Sequence, residues 1–181
     1  MRIIAGAWRG RPLLAPQGRD TRPTSDRARE GLFSMLASRI GSFEGLEVAD
    51  LFAGTGALGL EALSRGAAHC TFVERDPAAL KVLRRNIDAF GASERTEVRA
   101  QAAEQAVRPR MPCDLAFMDP PYRSGLAQQA LDRVTSPGWL AHGAWVSVEV
   151  SGEEITVPPA LTLEAERRFG KAGILLLRQA G

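Results

Sequence analysis

From residue 47 onward the chain alternates short apolar runs with segments of helical periodicity, and this alternation constrains its fold more than any other feature. Strands that alternate with helices form a parallel sheet with helices on both faces, the architecture of α/β proteins. The last two apolar runs lie close enough in sequence to pair as an antiparallel hairpin. A mostly parallel seven-stranded sheet is therefore predicted. Its strands are Glu47–Phe52, His69–Glu74, Thr96–Arg99, Cys113–Met118, Ala144–Val150, Leu161–Phe169 and Gly173–Arg178.

The N-terminal 25 residues have a different character, with frequent glycine and proline and two short apolar runs, Ile3–Ala5 and Leu13–Ala15. This pattern predicts a small β-hairpin or arm, with a flexible tail as the alternative. A helix is expected from Asp26 to about Ile40, because apolar residues there repeat at helical spacing. The predicted division is an arm over residues 1–25 and a main domain over 26–181, with the sheet core starting at about residue 46.

The charge of the chain is unevenly distributed. The formal net charge is +2, but residues 1–30 carry seven arginines against three acidic residues, a net charge of +4. The remaining residues carry a net charge of −2. Such asymmetry favours an anionic partner for the N-terminal end of the chain.

Several classes of protein are excluded by composition. No run of about 18 apolar residues is present, so a transmembrane helix is not expected. The two cysteines, Cys70 and Cys113, are too few and too far apart for a disulfide scaffold or a zinc site. They suit a reducing compartment, and we expect a cytoplasmic protein that binds no membrane.

A glycine-rich turn follows the first predicted strand. The segment runs from Asp50 to Gly59 and contains Gly54-x-Gly56-x-x-Gly59 just before a helix. Glycine allows sharp turns and close approach of a ligand to the backbone. Glu74 ends the next strand, where an acidic residue commonly binds a ribose hydroxyl. This pattern also fits the dinucleotide fingerprint, so a nicotinamide-dependent oxidoreductase stays open at this point.

The tetrapeptide Asp119-Pro120-Pro121-Tyr122 follows the fourth predicted strand, at the same edge of the sheet. Each proline fixes φ and removes an N–H group, which leaves neighbouring carbonyls free to accept hydrogen bonds. A carboxylate, a carbonyl and an aromatic ring at fixed spacing suit a planar base that carries an amine. A dehydrogenase has no need for this arrangement.

Together these motifs resemble class I S-adenosylmethionine-dependent methyltransferases that modify exocyclic amines, which have a Rossmann-like fold. The opening MRIIAGAWRGRPL and the segment Arg22–Arg27 narrow the resemblance to bacterial 16S ribosomal RNA guanine-N2 methyltransferases of the RsmD type, which act on guanine-966. The similarity covers essentially the whole chain. It implies a partner that is 16S rRNA or an assembling small ribosomal subunit. We expect a monomer, because nothing in the sequence indicates an obligate dimer, and no metal, because direct methyl transfer to nitrogen needs none.

The resemblance also implies roles for particular residues. One departure is Ala100-Gln101-Ala102, where relatives have Gly-Asp-Ala, so that Gln101 meets the adenine without a charge. The implied cofactor-binding residues are Asp50, Phe52, Gly54, Thr55, Gly56, Glu74, Arg75 and Gln101. The implied catalytic residues are Asp119, Pro120, Pro121 and Tyr122. The candidate RNA-binding residues are Trp8, Arg9, Arg11, Arg22, Arg27, Arg29 and Arg123, of which Arg22 and Arg27 lie in the family motif and could instead close over the site.

Three other functions compete with guanine methylation. A methyltransferase with the same fold and motifs could methylate another base amine, such as adenine N6 in DNA. A nicotinamide-dependent oxidoreductase could use the same glycine turn, and an RNA-binding assembly factor could keep the fold without catalysis.

Overall fold

The computed structural model describes residues 1–17 and 26–181. Its centre is a seven-stranded sheet in the order β3-β2-β1-β4-β5-β7-β6. The strands are β1 (Glu47–Leu51), β2 (His69–Glu74), β3 (Thr96–Ala100), β4 (Cys113–Met118), β5 (Leu140–Val150), β6 (Leu161–Phe169) and β7 (Ala172–Gln179). The helices are α1 (Asp26–Ile40), α2 (Ala57–Ser64), α3 (Pro77–Ala89) and α4 (Leu126–Val134).

The strand directions confirm the predicted α/β class. Strands β1 to β5 pair in parallel, whereas β7 is antiparallel to both β5 and β6. The antiparallel β7 lies between β5 and β6, which differs from the all-parallel 3-2-1-4-5-6 order of the nicotinamide-binding fold. Strand β5 begins at Leu140 rather than at Ala144, because Leu140 pairs with Cys113 across a register shift.

Helices cover both faces of the sheet, as predicted. Buried side chains of α1, α2 and α3 form one hydrophobic cluster with the first face, and those of α4 form a second cluster with the other face. Local sequence explains α3 well: Asp76 caps its first turn by accepting from the Ala79 N–H (3.2 Å), and Pro77 is its first residue. Within the described residues, no helix is long and apolar enough to cross a membrane.

The first 17 residues pack against the body of the domain. Ile3 and Leu13 are buried in the same cluster as α1, α2 and α3. The segment folds back on itself through one antiparallel bridge, between Arg2 and Pro12. This hairpin-like turn is thus part of the hydrophobic core. Residues 18–25, the rest of the predicted arm, lie outside the described ranges.

Two polar side chains of α2 fix the hairpin-like turn. The fully buried Glu61 accepts hydrogen bonds from the backbone N–H groups of Ile4 (2.8 Å) and Ala5 (3.0 Å). Ser64 donates to the Ala5 carbonyl and accepts from the Trp8 N–H. Because Glu61 pairs with two partly buried backbone donors of the turn, it joins residues 1–17 to α2.

Candidate active site

The carboxyl ends of β1, β2 and β4 meet at one edge of the sheet and open into a cleft of about 470 Å³. Ligands of open α/β sheets bind at this edge because the helices and loops diverge there. The cleft contains every predicted cofactor-binding residue except Gly56, together with Asp119 and Pro121. Sequence reasoning therefore predicted which segments converge at the cleft.

The glycine turn forms one wall of the cleft. Phe52 has φ 61° and Gly54 has φ 57°, so the chain reverses sharply after β1. A Cβ built on Gly54 would meet nothing within 4 Å, which shows that the backbone here borders open space. A ligand can therefore lie directly against the peptide units of the turn.

Asp50 supports the turn from beneath. It is 1% exposed, and its carboxylate accepts a hydrogen bond from the Gly59 N–H (2.9 Å) at the start of α2. Burial raises the pKa of Asp50 well above its ordinary value, and the Gly59 hydrogen bond opposes that shift in part. Asp50 thus links the end of β1 to α2 and holds the turn in place.

Glu74 places a fixed carboxylate at the end of β2. It accepts from the backbone N–H groups of Gly54 (2.8 Å), Arg75 (2.9 Å) and Asp76 (2.9 Å). A carboxylate offers about four acceptor positions, so Glu74 can also accept from a ligand hydroxyl. This geometry suits the predicted contact with a ribose.

The far end of the cleft holds a further carboxylate, Glu104, that sequence reasoning missed. The Gln101 side-chain oxygen accepts from the Val107 N–H (3.1 Å), so it already has a backbone partner. Glu104 lines the cleft beside Gln101 with its Oε1 3.9 Å from the Arg75 guanidinium. Its Oε2 is buried, and no described residue donates a hydrogen bond to it. This end of the cleft therefore favours a ligand that carries N–H or O–H donors.

The turn Asp119–Tyr122 separates the cleft from a second cavity. Asp119 and Pro121 line the cleft, whereas Tyr122 lines the second cavity. The hydroxyl of Tyr122 donates to Glu149 Oε1 (3.1 Å), and Glu149 is a buried residue of β5. Sequence reasoning missed Glu149, which orients Tyr122 at this wall.

The predicted RNA-binding residues fall into different environments. Arg9, Arg27 and Arg123 are exposed, and Arg123 directly follows Tyr122. Arg22 lies outside the described residues. These positions stay predictions for RNA contact.

Two other predicted RNA-binding residues, Trp8 and Arg11, contact the end of α3. Trp8 lies against Phe90, with ring centroids 5.0 Å apart. Arg11 donates to the Ala89 carbonyl (2.6 Å) and stacks on Phe90, although its residue is exposed. Trp8 therefore packs against the end of α3, and its contact with RNA stays a prediction.

Arg29 requires a correction, because it is 1% exposed and cannot reach RNA at the surface. Its guanidinium donates to the Arg2 carbonyl and to the Asp26 carboxylate (3.0 Å). Burial lowers the pKa of Arg29, and nearby Glu61 and Asp26 oppose the shift. Arg29 instead joins α1 to the N-terminal segment and borders the cleft.

Comparison with known proteins agrees with this geometry. The family model described as conserved hypothetical protein 95 matches residues 1–178. The ribosomal RNA small subunit methyltransferase D of Escherichia coli (strain K12) is 39% identical over 181 residues, covering 99% of this chain and 90% of the relative. The protein of the same name from Haemophilus influenzae is 37% identical over 175 residues, covering 94% of this chain and 89% of the relative.

A solved structure shows the same relationship at the level of the fold. The Escherichia coli protein yhhF superimposes with a TM-score of 0.86 at 38% identity, covering 100% of this chain and 98% of that one. The resemblance predicted from the motifs is confirmed. With a match that runs from residue 1 to residue 178, the chain belongs to the conserved hypothetical protein 95 family.

Proposed function

We propose that this protein is an S-adenosylmethionine-dependent methyltransferase that acts on the exocyclic N2 of a guanine in 16S ribosomal RNA, at guanine-966. The observation that carries the proposal is the Asp119–Tyr122 turn, which lies between two cavities at the carboxyl end of β4. The names of the curated relatives, ribosomal RNA small subunit methyltransferase D, support the substrate class.

The cleft suits S-adenosylmethionine. The open backbone at Gly54 leaves room for the methionine part, and the fixed Glu74 carboxylate can accept from the ribose hydroxyls. When bound, this cofactor supplies an electrophilic methyl group on a sulfonium sulfur. The strand order, with an antiparallel β7, argues against a nicotinamide cofactor for the same turn.

Asp119 and Pro120 would prepare the amine for transfer. Guanine N2 is a poor nucleophile because its lone pair is delocalised into the ring. The Asp119 carboxylate and the Pro120 carbonyl can each accept a hydrogen bond from one N–H group of the amine. These two contacts would orient the nitrogen lone pair toward the cleft. Tyr122 can stack on the base and replace part of the stacking that it loses on leaving the RNA. The protein then acts mainly by positioning and electrostatics.

Exposed arginines supply affinity for the RNA. Arg9, Arg27 and Arg123 can neutralise phosphates, which gives binding strength and orientation but little choice of sequence. The choice of base then depends on the Asp119–Tyr122 turn.

A side-by-side methylation assay tests the proposal. Transcribed 16S rRNA, partially assembled small subunits and duplex DNA are incubated with methyl-labelled S-adenosylmethionine, and the modified nucleoside is identified. We expect N2-methylguanine in RNA, because the paired acceptors at Asp119 and Pro120 match an exocyclic amine and the family resemblance indicates guanine as the base. Calorimetry with S-adenosylhomocysteine and with NADH is the control for cofactor class. Methylation of adenine alone, or tight binding of NADH only, would contradict the proposal.

A further inference from the structure

A second cavity of about 520 Å³ lies beyond the Asp119–Tyr122 turn, on the side away from the cleft. Tyr122 and the buried Glu149 line it, and the first turn of α1 contributes Arg27. The rest of the rim comes from residues 167–172, which comprise the end of β6, the connecting residues and the start of β7 and are called the β6–β7 turn below. No site predicted from the sequence includes this segment.

The strand register places the β6–β7 turn at this edge. Strand β5 runs parallel to β4, with Val148 opposite Met118, and β7 runs back along β5, with Gly173 opposite Val150. The turn that precedes Gly173 therefore stands level with the residues that follow Met118. An antiparallel hairpin at the end of the sheet thus returns to the same edge as the cleft.

Contact with α1 fixes the position of the turn. A Cβ built on Gly31 of α1 would come within 2.2 Å of the Phe169 ring, so only glycine permits this approach. Arg167 lies over the same ring, with its guanidinium carbon 5.4 Å from the ring centroid. Arg167 therefore lies on a ring that is itself packed against α1.

The rim of the cavity is strongly basic. Arg167, Arg168, Lys171 and Arg27 are exposed and line it, whereas its acidic lining residue, Glu149, is buried and accepts from Tyr122. Clustered cations at a groove attract the phosphates of a nucleic acid. The aromatic Tyr122 wall suits a base, and the basic rim suits the phosphates that flank it.

We propose that this cavity admits the target nucleotide, and that Arg167, Arg168 and Lys171 bind the RNA phosphates on either side of it. The inference rests on the proposed function, since it assumes an RNA substrate. The cofactor and the nucleotide then approach the Asp119–Tyr122 turn from opposite sides. The amine of the base then meets the cofactor beside Asp119, while Glu149 holds the Tyr122 ring against the base.

The test compares two double variants of the full-length protein that lose the same charge. Arg167→Ala with Arg168→Ala removes two cations from the rim. The matched control, Arg39→Ala with Arg178→Ala, removes two exposed cations near the opposite edge, at the end of α1 and late in β7. RNA binding is measured against salt concentration, together with KM for RNA and the affinity for S-adenosylhomocysteine.

We expect the rim variant to raise KM for RNA and to lower the log–log salt slope by roughly 0.7–0.9 for each lost phosphate contact. Its affinity for S-adenosylhomocysteine should be unchanged, and the control should keep its salt slope. Equal slopes in the rim variant and the unchanged protein would overturn the inference while leaving the proposed function in place. An unchanged protein that methylates no RNA would overturn both.

A separate observation concerns Glu104 at the far end of the cleft. Its buried Oε2 receives no hydrogen bond from the described residues, which is costly for a carboxylate oxygen unless a ligand donates to it. Neighbouring Gln101 already accepts from Val107. We infer that Glu104 accepts from the adenine amino group of the cofactor, a contact that the neutral Gln101 would otherwise make alone. The inference depends on the proposed cofactor.

Calorimetry with S-adenosylhomocysteine tests this role without measuring activity. Glu104→Ala should weaken binding about 10- to 100-fold, as expected for a hydrogen bond to a charged group. The inosine analogue, which lacks the amino group, should bind the unchanged protein less well and should bind the variant about as well as the parent compound. The control is Glu97→Gln, which changes an acidic residue outside the cleft.

The outcomes separate the two hypotheses. Equal affinity of Glu104→Ala and the unchanged protein would overturn the role of Glu104 alone. Absence of S-adenosylhomocysteine binding by the unchanged protein would overturn the proposed cofactor and this role with it.

Discussion

Replacement of Asp119 with alanine is expected to lower kcat for methyl transfer by roughly 100- to 1000-fold, the usual cost of losing one oriented polar group at a reacting centre. Asp119 lines the cleft directly after β4, and in the proposed function its carboxylate accepts a hydrogen bond from the amine that receives the methyl group. Asp119 is proposed to orient the amine, whereas exposed arginines supply the affinity for RNA, so the substitution should change RNA binding little. Single-turnover assays with labelled cofactor measure the transfer step directly.

Two further variants define what Asp119 does. Asp119→Asn keeps an acceptor oxygen but removes the charge, so its rate should lie between those of the alanine variant and the unchanged protein. Asp132→Ala, on the exposed side of α4, is the control for a lost carboxylate remote from the cleft. Transfer by Asp119→Ala at nearly the unchanged rate would show that Asp119 does not position the amine.

The central part of the fold was predictable because its signals are local. The strands His69–Glu74 and Cys113–Met118 are short, mostly buried segments with apolar residues at their centres, and both predicted bounds match the structure. The carboxyl ends of parallel strands share an edge, so Glu74 and Asp119 could be assigned to one site from their positions after strands.

Other parts of the site depend on contacts between distant segments. Glu149 lies within a strand, and its role follows only from a hydrogen bond to Tyr122. Arg29 resembles its exposed neighbour Arg27 in sequence, but the helix turns it inward against the N-terminal segment. Glu104 is significant because its oxygen is buried, which no pattern of residue types shows.

The β6–β7 turn illustrates the same limit. An antiparallel hairpin was predicted, but the edge at which Arg167 and Arg168 stand depends on which strand β7 pairs with. Pairing with β5 brings the turn to the cavity that Tyr122 lines. A strand order with β6 next to β5 would have required a different connection, so the basic rim could not be assigned from sequence.

Glu61→Ala should lower the free energy of unfolding by about 3 kcal/mol, because three partly buried donors lose their buried acceptor together. Glu61 is fully buried and accepts from the backbone of Ile4 and Ala5 and from Arg65 Nε (2.9 Å). For a chain of this length the melting temperature should fall by roughly 6–12 °C. Thermal and urea unfolding measure the loss, and Glu164→Ala, an exposed change on β6, should have little effect.

The same variant should also loosen one wall of the cleft. Met1 and Pro16 line the cleft, and the segment that carries them is held in place through Glu61. Hydrogen exchange at the Ile4 and Ala5 amides should become faster than exchange in the sheet, since their acceptor is gone. Affinity for S-adenosylhomocysteine should fall although Glu61 lies outside the cleft. Unchanged exchange at both amides would contradict this role for Glu61. Faster exchange with unchanged affinity would show that the N-terminal segment is docked by α2 but does not shape the cleft.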